Sequence, residues 1–196
     1  MTKEQIFDEA EKIQGWFPRH DMETLYSLAK DYVRAGGLAV EVGSWKGRSS
    51  FVLASLCQQV GARLICIDSF KGLIPTDHEK WELYHGSDGY YKEGNEGSIL
   101  EQTKKNLKGL PVTFLEGNST ELHKKIKDGS ASLVFIDGDH DMPIVALDME
   151  NFKTKVKKGG VLCGHDYEKG NTVANAVDGI IGDVHLATTI WFKPIV

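Results

Sequence analysis

Two short stretches of the chain end in residues that could do chemistry. Residues 38–47 read Leu-Ala-Val-Glu-Val-Gly-Ser-Trp-Lys-Gly, and residues 134–140 read Val-Phe-Ile-Asp-Gly-Asp-His. Each stretch is an apolar run that stops at an acidic residue and a glycine. Ligands of an open parallel sheet bind just beyond the carboxyl ends of its strands. We therefore expect one nucleotide-like ligand with a reaction site beside it.

The loop after the first run, residues 43–47, matches neither of the common phosphate-binding patterns. Trp45 stands where the dinucleotide fingerprint needs the second glycine, which lets the backbone approach a pyrophosphate. Gly47 is followed by Arg48, whereas a phosphate loop ends in Gly-Lys-Ser/Thr. The loop is therefore expected to hold a ligand that has no phosphate groups.

Two carboxylates beside this loop indicate the chemistry of that ligand. Glu41 places an anion near the loop, which would repel phosphate but suits a cationic or hydroxyl-bearing ligand. Asp68, at the end of the next apolar run, is placed to accept hydrogen bonds from ribose hydroxyls. Together these features fit S-adenosylmethionine, which carries an adenosyl group, a positive sulfonium and no phosphate. The alternative is a tight strand–helix turn in which both carboxylates are solvated.

The second run leads to a cluster of acidic and histidine side chains. Asp137, Asp139 and His140 follow the fourth predicted strand, and His165 and Asp166 follow the fifth. Adjacent parallel strands bring these ends together. Carboxylate oxygens with a histidine nitrogen make a workable site for Mg²⁺ or Mn²⁺, and histidine also admits Zn²⁺ or Fe²⁺. The alternative is a hydrogen-bonded polar cluster at a loop junction.

The elements that must position these residues alternate along the chain. The predicted strands are 38–42, 63–67, 112–116, 132–136, 160–163, 184–187 and 189–192. The helical patterns that follow the first strands are 49–59, 99–107, 119–127, 143–156 and 173–181. This order requires a parallel sheet with helices on both faces. The last two runs are too close for a crossover helix, so they should form an antiparallel hairpin. The expected fold class is α/β, a doubly wound and mostly parallel Rossmann-like sheet.

We expect two parts and one insert in this order of elements. Residues 1–35 should form N-terminal helices that pack on the core, with Asp21 as an N-cap, and residues 36–196 should form the main domain. Residues 71–97 are the longest irregular stretch, and they carry the aromatic residues Trp81, Tyr84, Tyr90 and Tyr91. A segment of this kind predicts a substrate lid or pocket wall, with a partly helical surface excursion as the alternative.

Composition narrows the classes of partner and the compartment. The net charge of −5 gives no electrostatic reason to expect nucleic acid. No apolar run approaches the length of a membrane span, so we expect no membrane partner. The three cysteines are widely spaced in apolar surroundings, which is typical of buried thiols in a reducing compartment, and the cytoplasm is the expected location. The N-terminal helices and Trp16-Phe17 could pack on another copy, so a homo-oligomer is an open expectation.

Five motifs, in order along residues 36–192, carry a resemblance to a known family. They are Val40-Glu41-Val42-Gly43-Ser44-Trp45-x-Gly47-x-Ser49, Ile67-Asp68-Ser69, Phe135-Ile136-Asp137-Gly138-Asp139-His140, Gly159-Gly160-Val161 and His165-Asp166-Tyr167. This set resembles the class I S-adenosylmethionine-dependent methyltransferases. More narrowly, it resembles the bacterial group related to macrocin O-methyltransferase and cephalosporin hydroxylase-like proteins.

The resemblance implies a fold and a set of cofactor contacts. It implies a sheet of seven strands. The implied contacts with the cofactor are at Glu41, Gly43, Ser44, Trp45, Gly47, Ser49, Asp68, Ser69, Asn118, Ser119 and Asp137. For Asn118 and Ser119, which would lie near the adenine, a turn and helix cap is an equal alternative.

Related metal-dependent O-methyltransferases place a carboxylate after strand four and an acidic or amide pair after strand five. That pattern maps onto Asp137, His165 and Asp166, although His165 stands where an acidic residue is more usual. Methyl transfer needs a deprotonated acceptor oxygen, which a metal ion or a histidine base can supply. His140 is the preferred base and His165 the alternate, and Asp137 is a further catalytic candidate.

The expected function is transfer of a methyl group from S-adenosylmethionine to an oxygen of a small-molecule acceptor, with a divalent cation as an optional assistant. One alternative is a metal-dependent hydroxylase-like enzyme on the same fold. The other is a protein that holds S-adenosylmethionine without turning it over. The absence of an Asn-Pro-Pro-Tyr-type tetrapeptide and of a basic appendage disfavours nucleic-acid methylation.

Overall fold

A seven-stranded sheet forms the centre of the residues that this computed structural model describes, 1–71 and 98–196. The strand order is β3-β2-β1-β4-β5-β7-β6, in which β1 to β5 run parallel and β7 is antiparallel to both of its neighbours. The strands are β1 (Leu38–Val42), β2 (Arg63–Asp68), β3 (Val112–Glu116), β4 (Ala131–Ile136), β5 (Val156–Gly164), β6 (His185–Ala187) and β7 (Ile190–Pro194). The predicted doubly wound sheet with its C-terminal antiparallel hairpin is confirmed.

Helices cover both faces of this sheet. They are α1 (Lys3–Glu11), α2 (Arg19–Tyr32), α3 (Arg48–Val60), α4 (Ile99–Asn106), α5 (Ser119–Leu122), α6 (Ile144–Lys153) and α7 (Thr172–Ala176). A 3₁₀ turn at His123–Lys125 extends α5, and a π-helical turn at Val177–Ile181 extends α7. Across residues 1–71 and 98–196, every helix is too short or too polar to cross a bilayer. The predicted insert 71–97 lies outside the described residues apart from Lys71.

Apolar side chains from alternate strand positions form two cores, one on each face of the sheet. On one face, Ala39, Leu133 and Phe135 pack under the helices α1, α2 and α3. On the other face, Val40 and Val134 pack under α6 and α7. Burial on both faces explains why the parallel strands read as continuous apolar runs.

Two predicted boundaries differ from the structure for local reasons. The strand β5 begins at Val156 rather than at 160, and its pairing with β4 shifts register between Ala131 and Leu133. Gly159 has a φ of +76°, so the Lys-Lys-Gly-Gly stretch is an irregular part of the strand, although its composition is typical of a loop. The helix α2 begins at Arg19 after the N-cap Pro18, so the prediction of Asp21 as an N-cap is wrong.

The first turn after β1 brings two strand ends into direct contact. Gly43 has a φ of +86°, and a Cβ at this position would lie 2.0 Å from the carbonyl oxygen of Asp137. The amide of Asp137 also donates to the carbonyl of Val42 at 2.7 Å. The ends of β1 and β4 can therefore meet only because residue 43 has no side chain.

We predict that Gly43→Ala lowers the free energy of unfolding far more than Gly109→Ala does. Both glycines have a φ near +85°, but nothing lies within 4 Å of a Cβ at Gly109. The control variant should therefore lose only the roughly 1–2 kcal/mol that a residue with a Cβ costs in the left-handed backbone conformation. Urea unfolding of both variants measures the difference, and equal losses would show that the β1–β4 contact is not tight.

Candidate active site

The loop at residues 43–47 is held by the carboxylate of Asp68 at the end of β2. The amides of Ser44 and Trp45 both donate to Asp68 Oδ2 at 2.8 Å, and the amide of Phe70 donates to Oδ1 at 2.7 Å. A carboxylate offers about four acceptor positions. Asp68 therefore lies at the loop, as the sequence predicts, and most of its accepting capacity already fixes the backbone. Its contact with ribose stays a prediction.

Glu41 is buried in the middle of the sheet beneath the same loop. Its Oε2 atom accepts hydrogen bonds from Ser44 at 2.9 Å and from Ser50, and Cys66 Sγ lies 3.5 Å away. The other oxygen, Oε1, has no hydrogen-bond partner among the described residues. Burial raises the pKa of Glu41 to about 7, although the serine hydroxyls oppose the shift. The alternative of a solvated Glu41 is wrong.

The remaining predicted cofactor residues lie at the start of α3 and after the strands β2 and β3. Ser49 is buried in the first turn of α3, and Gly47, with a φ of +94°, is the N-cap of that helix. Ser69 accepts from the amide of Lys71 at 3.3 Å. Asn118 caps α5 by accepting from the amide of Thr120 at 3.0 Å, so the helix-cap interpretation of this residue is confirmed. Contact of Asn118 and Ser119 with an adenine stays a prediction.

The ends of β4 and β5 meet around the buried ring of His165. Its Nε2 lies 3.0 Å from Asp21 Oδ2, and its Nδ1 lies 3.1 Å from Asp166 and 3.5 Å from Asp137. Burial lowers the pKa of His165, but the contacts with Asp137 and Asp166 outweigh it and raise the pKa to about 11. Each ring nitrogen of His165 therefore lies beside a carboxylate. The predicted roles of His165 as a metal ligand and as the alternate base stay predictions.

Sequence reasoning gave Asp21 the wrong role. This carboxylate is 1% exposed, and besides His165 it accepts from the hydroxyl of Thr188 and, at 3.2 Å, from that of Thr189. The hydrogen bonds from Thr188 and His165 overcome the effect of burial and lower the pKa of Asp21. The available signal was an acidic residue next to Met22 and in line with Leu25 on the apolar face of α2.

His140 occupies the open side of the cluster. Its Nε2 lies 3.0 Å from Asp166 Oδ2, and its side chain is 55% exposed. The hydrogen bond with Asp166 raises the pKa of His140 despite partial burial. Burial alone would raise the pKa of Asp166, but His140 and His165 hold it well below its usual value. Asp166 has a φ of +58°, a strained backbone conformation of the kind found at functional sites.

The potential metal-ligating atoms that converge differ from the predicted set. Three residues, Asp137, His140 and Asp166, each offer one ligand atom, and these three atoms lie within 4.8 Å of one another. Two carboxylates and one imidazole suit a divalent cation. The structure thus brings Asp137 and Asp166 together as predicted, with the Nδ1 atom of His165 within 3.5 Å of both, and it adds His140. Binding of a metal ion by any of them stays a prediction.

Comparison with known proteins adds a family and a set of structural neighbours. A family model described as a methyltransferase domain matches residues 40–167, which is more than half of the chain. A TDP-rhamnose 3′-O-methyltransferase of calicheamicin biosynthesis is 13% identical with a TM-score of 0.55, and the match covers 98% of this chain and 92% of that one.

Two further solved structures are similar at low identity. An S-adenosylmethionine-dependent O-methyltransferase from Thermotoga maritima is 13% identical with a TM-score of 0.59, over 89% of this chain and 55% of that one. A precorrin-6y C5,15-methyltransferase from Geobacter metallireducens is 15% identical with a TM-score of 0.59, over 90% of this chain and 80% of that one. At these identities the neighbours show the fold alone.

We predict that Glu41→Gln flattens the pH dependence of stability between pH 4.5 and about 7. The folded state raises the pKa of Glu41 from 4.5 to about 7, so it binds a proton that the unfolded chain releases. The contribution of Glu41 to stability is therefore fully present below pH 4.5 and is lost as the pH rises through about 7, by up to roughly 3 kcal/mol at 1.36 kcal/mol per pKa unit. Urea unfolding across this range measures the slope.

The matched control for this prediction is Glu116→Gln, at the exposed end of β3. This variant should keep the wild-type slope. Parallel profiles for wild type and Glu41→Gln would show that Glu41 is ionised in the folded protein.

Proposed function

We propose, from the premise that the chain belongs to the methyltransferase-domain family, that it moves a methyl group from S-adenosylmethionine to an oxygen atom of a small-molecule acceptor. The family membership establishes the class of reaction. The identity of the methyl donor, the oxygen acceptor and the roles of single residues belong to the proposal.

The observation that carries the proposal is the direct contact between the two strand ends. Gly43 touches the backbone of Asp137. The loop at residues 43–47 and the cluster of Asp137, His140 and Asp166 are therefore neighbours at the carboxyl ends of the parallel strands. Methyl transfer requires this arrangement, because the sulfonium and the acceptor oxygen must lie in line within van der Waals distance.

The chemistry of the loop supports S-adenosylmethionine as the donor. Glu41 Oε1 is a buried acceptor without a partner among the described residues, which favours a ligand that brings a hydrogen-bond donor or a positive charge. The carboxylate of Asp68 lies against the loop, and it would repel the phosphates of a dinucleotide. The residues present therefore fit a cationic adenosyl ligand.

His140 is the group best placed to take the acceptor proton. It is solvent-accessible, and Asp166 orients its Nε2 and increases its basicity. In the reaction the acceptor O–H bond breaks, the oxygen bonds to the methyl carbon, and the methyl–sulfur bond breaks to leave a neutral thioether. The proton goes to His140 if the unprotonated ring faces the acceptor.

A divalent cation at Asp137, His140 and Asp166 is the competing arrangement for the same step. Such an ion would lower the pKa of an acceptor hydroxyl. It would also occupy the lone pair of His140, so His140 cannot be ligand and base at once. His165 has a positioning role in either arrangement, because its two ring nitrogens lie 3.0 Å from Asp21 and 3.1 Å from Asp166.

The named activities of the neighbours bear on the acceptor. A sugar hydroxyl is methylated by an enzyme named as a TDP-rhamnose 3′-O-methyltransferase, and another neighbour is named for methylation at carbon. The histidine and carboxylate cluster favours a hydroxyl acceptor here, because a hydroxyl must lose its proton during methyl transfer. A base that works near neutral pH can remove that proton, and a bound cation can make it more acidic.

We predict that S-adenosylhomocysteine binds, and that NAD and ATP do not bind with similar strength. Asp68→Asn should weaken S-adenosylhomocysteine binding by about 1–3 kcal/mol, since the amide cannot accept all of the hydrogen bonds of the carboxylate. Isothermal titration calorimetry measures the affinity of wild type for each of the three ligands and the affinity of Asp68→Asn for S-adenosylhomocysteine. Asp31→Asn, exposed on α2, is the control and should bind as wild type does. Tight NAD binding without an S-adenosylhomocysteine signal would overturn the proposal.

We predict that the protein transfers labelled methyl from S-adenosylmethionine to hydroxyl groups in a panel of sugars and phenols. If His140 is the base, His140→Gln abolishes transfer and EDTA does not. If a cation acts, EDTA abolishes transfer and Mg²⁺ or Mn²⁺ restores it. His185→Gln, at an exposed site on β6, is the control. Product methylated at carbon or nitrogen would contradict an oxygen acceptor, and S-adenosylhomocysteine binding without transfer would favour a binding module.

A further inference from the structure

The helix α4 binds the carbonyl groups of the loop at residues 43–47. The hydroxyl of Thr103 lies 2.7 Å from the carbonyl oxygen of Trp45, and the side-chain amide of Asn106 donates to the carbonyl oxygen of Lys46 at 2.9 Å. The Thr103 hydroxyl is also 2.7 Å from the carbonyl of Ile99 in its own helix, so its single proton is shared between two acceptors. Two consecutive peptide groups of the loop thus bind to one helix.

Packing brings this helix against the loop without a gap. Thr103 is fully buried. A Cβ at Gly47 would lie 3.2 Å from Thr103 Cγ2 and 3.3 Å from Leu107 Cδ1, which is tighter than ordinary contact. The absence of a side chain at Gly47 therefore lets α4 approach the loop closely enough to form these hydrogen bonds.

The loop needs support of this kind, because its conformation is not the one that the sequence prefers. Trp45 has a φ of +46°, a left-handed conformation that costs a residue with a Cβ roughly 1–2 kcal/mol. Such a conformation persists only where its surroundings determine it. Asp68 holds the amides of Ser44 and Trp45, and α4 holds the carbonyls of Trp45 and Lys46.

We propose that Thr103 and Asn106 are positioning residues for the methyl donor. They hold the peptide groups of residues 45 and 46 in the orientation that binds the donor, and they touch the loop rather than the ligand. This inference rests on the proposed function, because it requires that residues 43–47 bind the donor. It adds an element between β2 and β3 to a binding site otherwise built from the strand ends.

The test is calorimetric titration of S-adenosylhomocysteine into wild type, Thr103→Val and Asn106→Ala. Valine keeps the shape of Thr103 and loses its hydroxyl, so we expect the Kd to rise roughly three- to tenfold for each variant, the effect of one lost hydrogen bond. Thr103→Ser retains the hydroxyl and should bind within about twofold of wild type. The lost methyl group should lower the free energy of unfolding and leave the affinity unchanged.

Two controls separate positioning from a general loss of stability. Thr113→Val removes a hydroxyl at an exposed position of β3 and should leave the Kd unchanged. Val177→Ala removes buried apolar volume from the opposite face of the sheet, so it should lower the melting temperature and leave the Kd unchanged. Thermal unfolding of every variant accompanies the titrations. If Thr103→Val does not fold, Asn106→Ala alone decides.

Each outcome gives a decision. Weaker binding by Thr103→Val and Asn106→Ala, with recovery in Thr103→Ser, supports the inference. Wild-type affinity in both variants overturns it and leaves the proposed function intact. An equal loss of affinity in Val177→Ala shows that stability alone accounts for the effect and also overturns it. Wild-type protein that does not bind S-adenosylhomocysteine overturns the proposed function, and the inference with it.

Discussion

The contact between the ends of β1 and β4 is the constraint on which the candidate site depends. The amide of Asp137 binds the carbonyl of Val42, and the backbone of Asp137 occupies the space where Gly43 has no side chain. One strand end carries the loop and the other begins the acidic cluster. A wider separation would leave two half-sites, each with polar groups but without a shared space for donor and acceptor.

A buried ion network supports this arrangement from behind. The buried ring of His165 lies between Asp21 on α2 and the carboxylates of Asp137 and Asp166. Desolvating these charges is expensive, and the hydrogen bonds from His165 and from the two threonines of the β6–β7 turn offset that expense. A network of this kind stabilises the fold less than it fixes geometry. The residues Asp21, Thr188 and Thr189, outside the matched family domain, thereby help to position the ring of His165, which lies beside the carboxylate that His140 contacts.

Much of the fold could be predicted from the sequence, because its signals are local. The strands β1 and β3 begin and end where the apolar runs do, and the short spacing at the C-terminus indicated the hairpin. The burial of Glu41 and the role of Asp21 could not be predicted in the same way. Glu41 looks like the polar end of a strand, and only the three-dimensional packing of Ser44, Ser50 and Cys66 shows that it faces inward. Asp21 finds its partner far away in the sequence, and no local pattern encodes that pairing.

The same long separation has a consequence for the order in which the molecule folds. The bond from Asp21 to His165 spans 144 positions, and the bond from Thr188 to Asp21 spans 167. On a ribosome, α2 and β1 emerge and can pack long before either partner exists. During that interval the carboxylate of Asp21 does not have His165 as a partner. Contacts so distant along the chain form slowly, because the entropy of closing a long loop must be overcome first. The charged centre of the site is therefore complete only when segments from both ends of the chain have been synthesised and brought together.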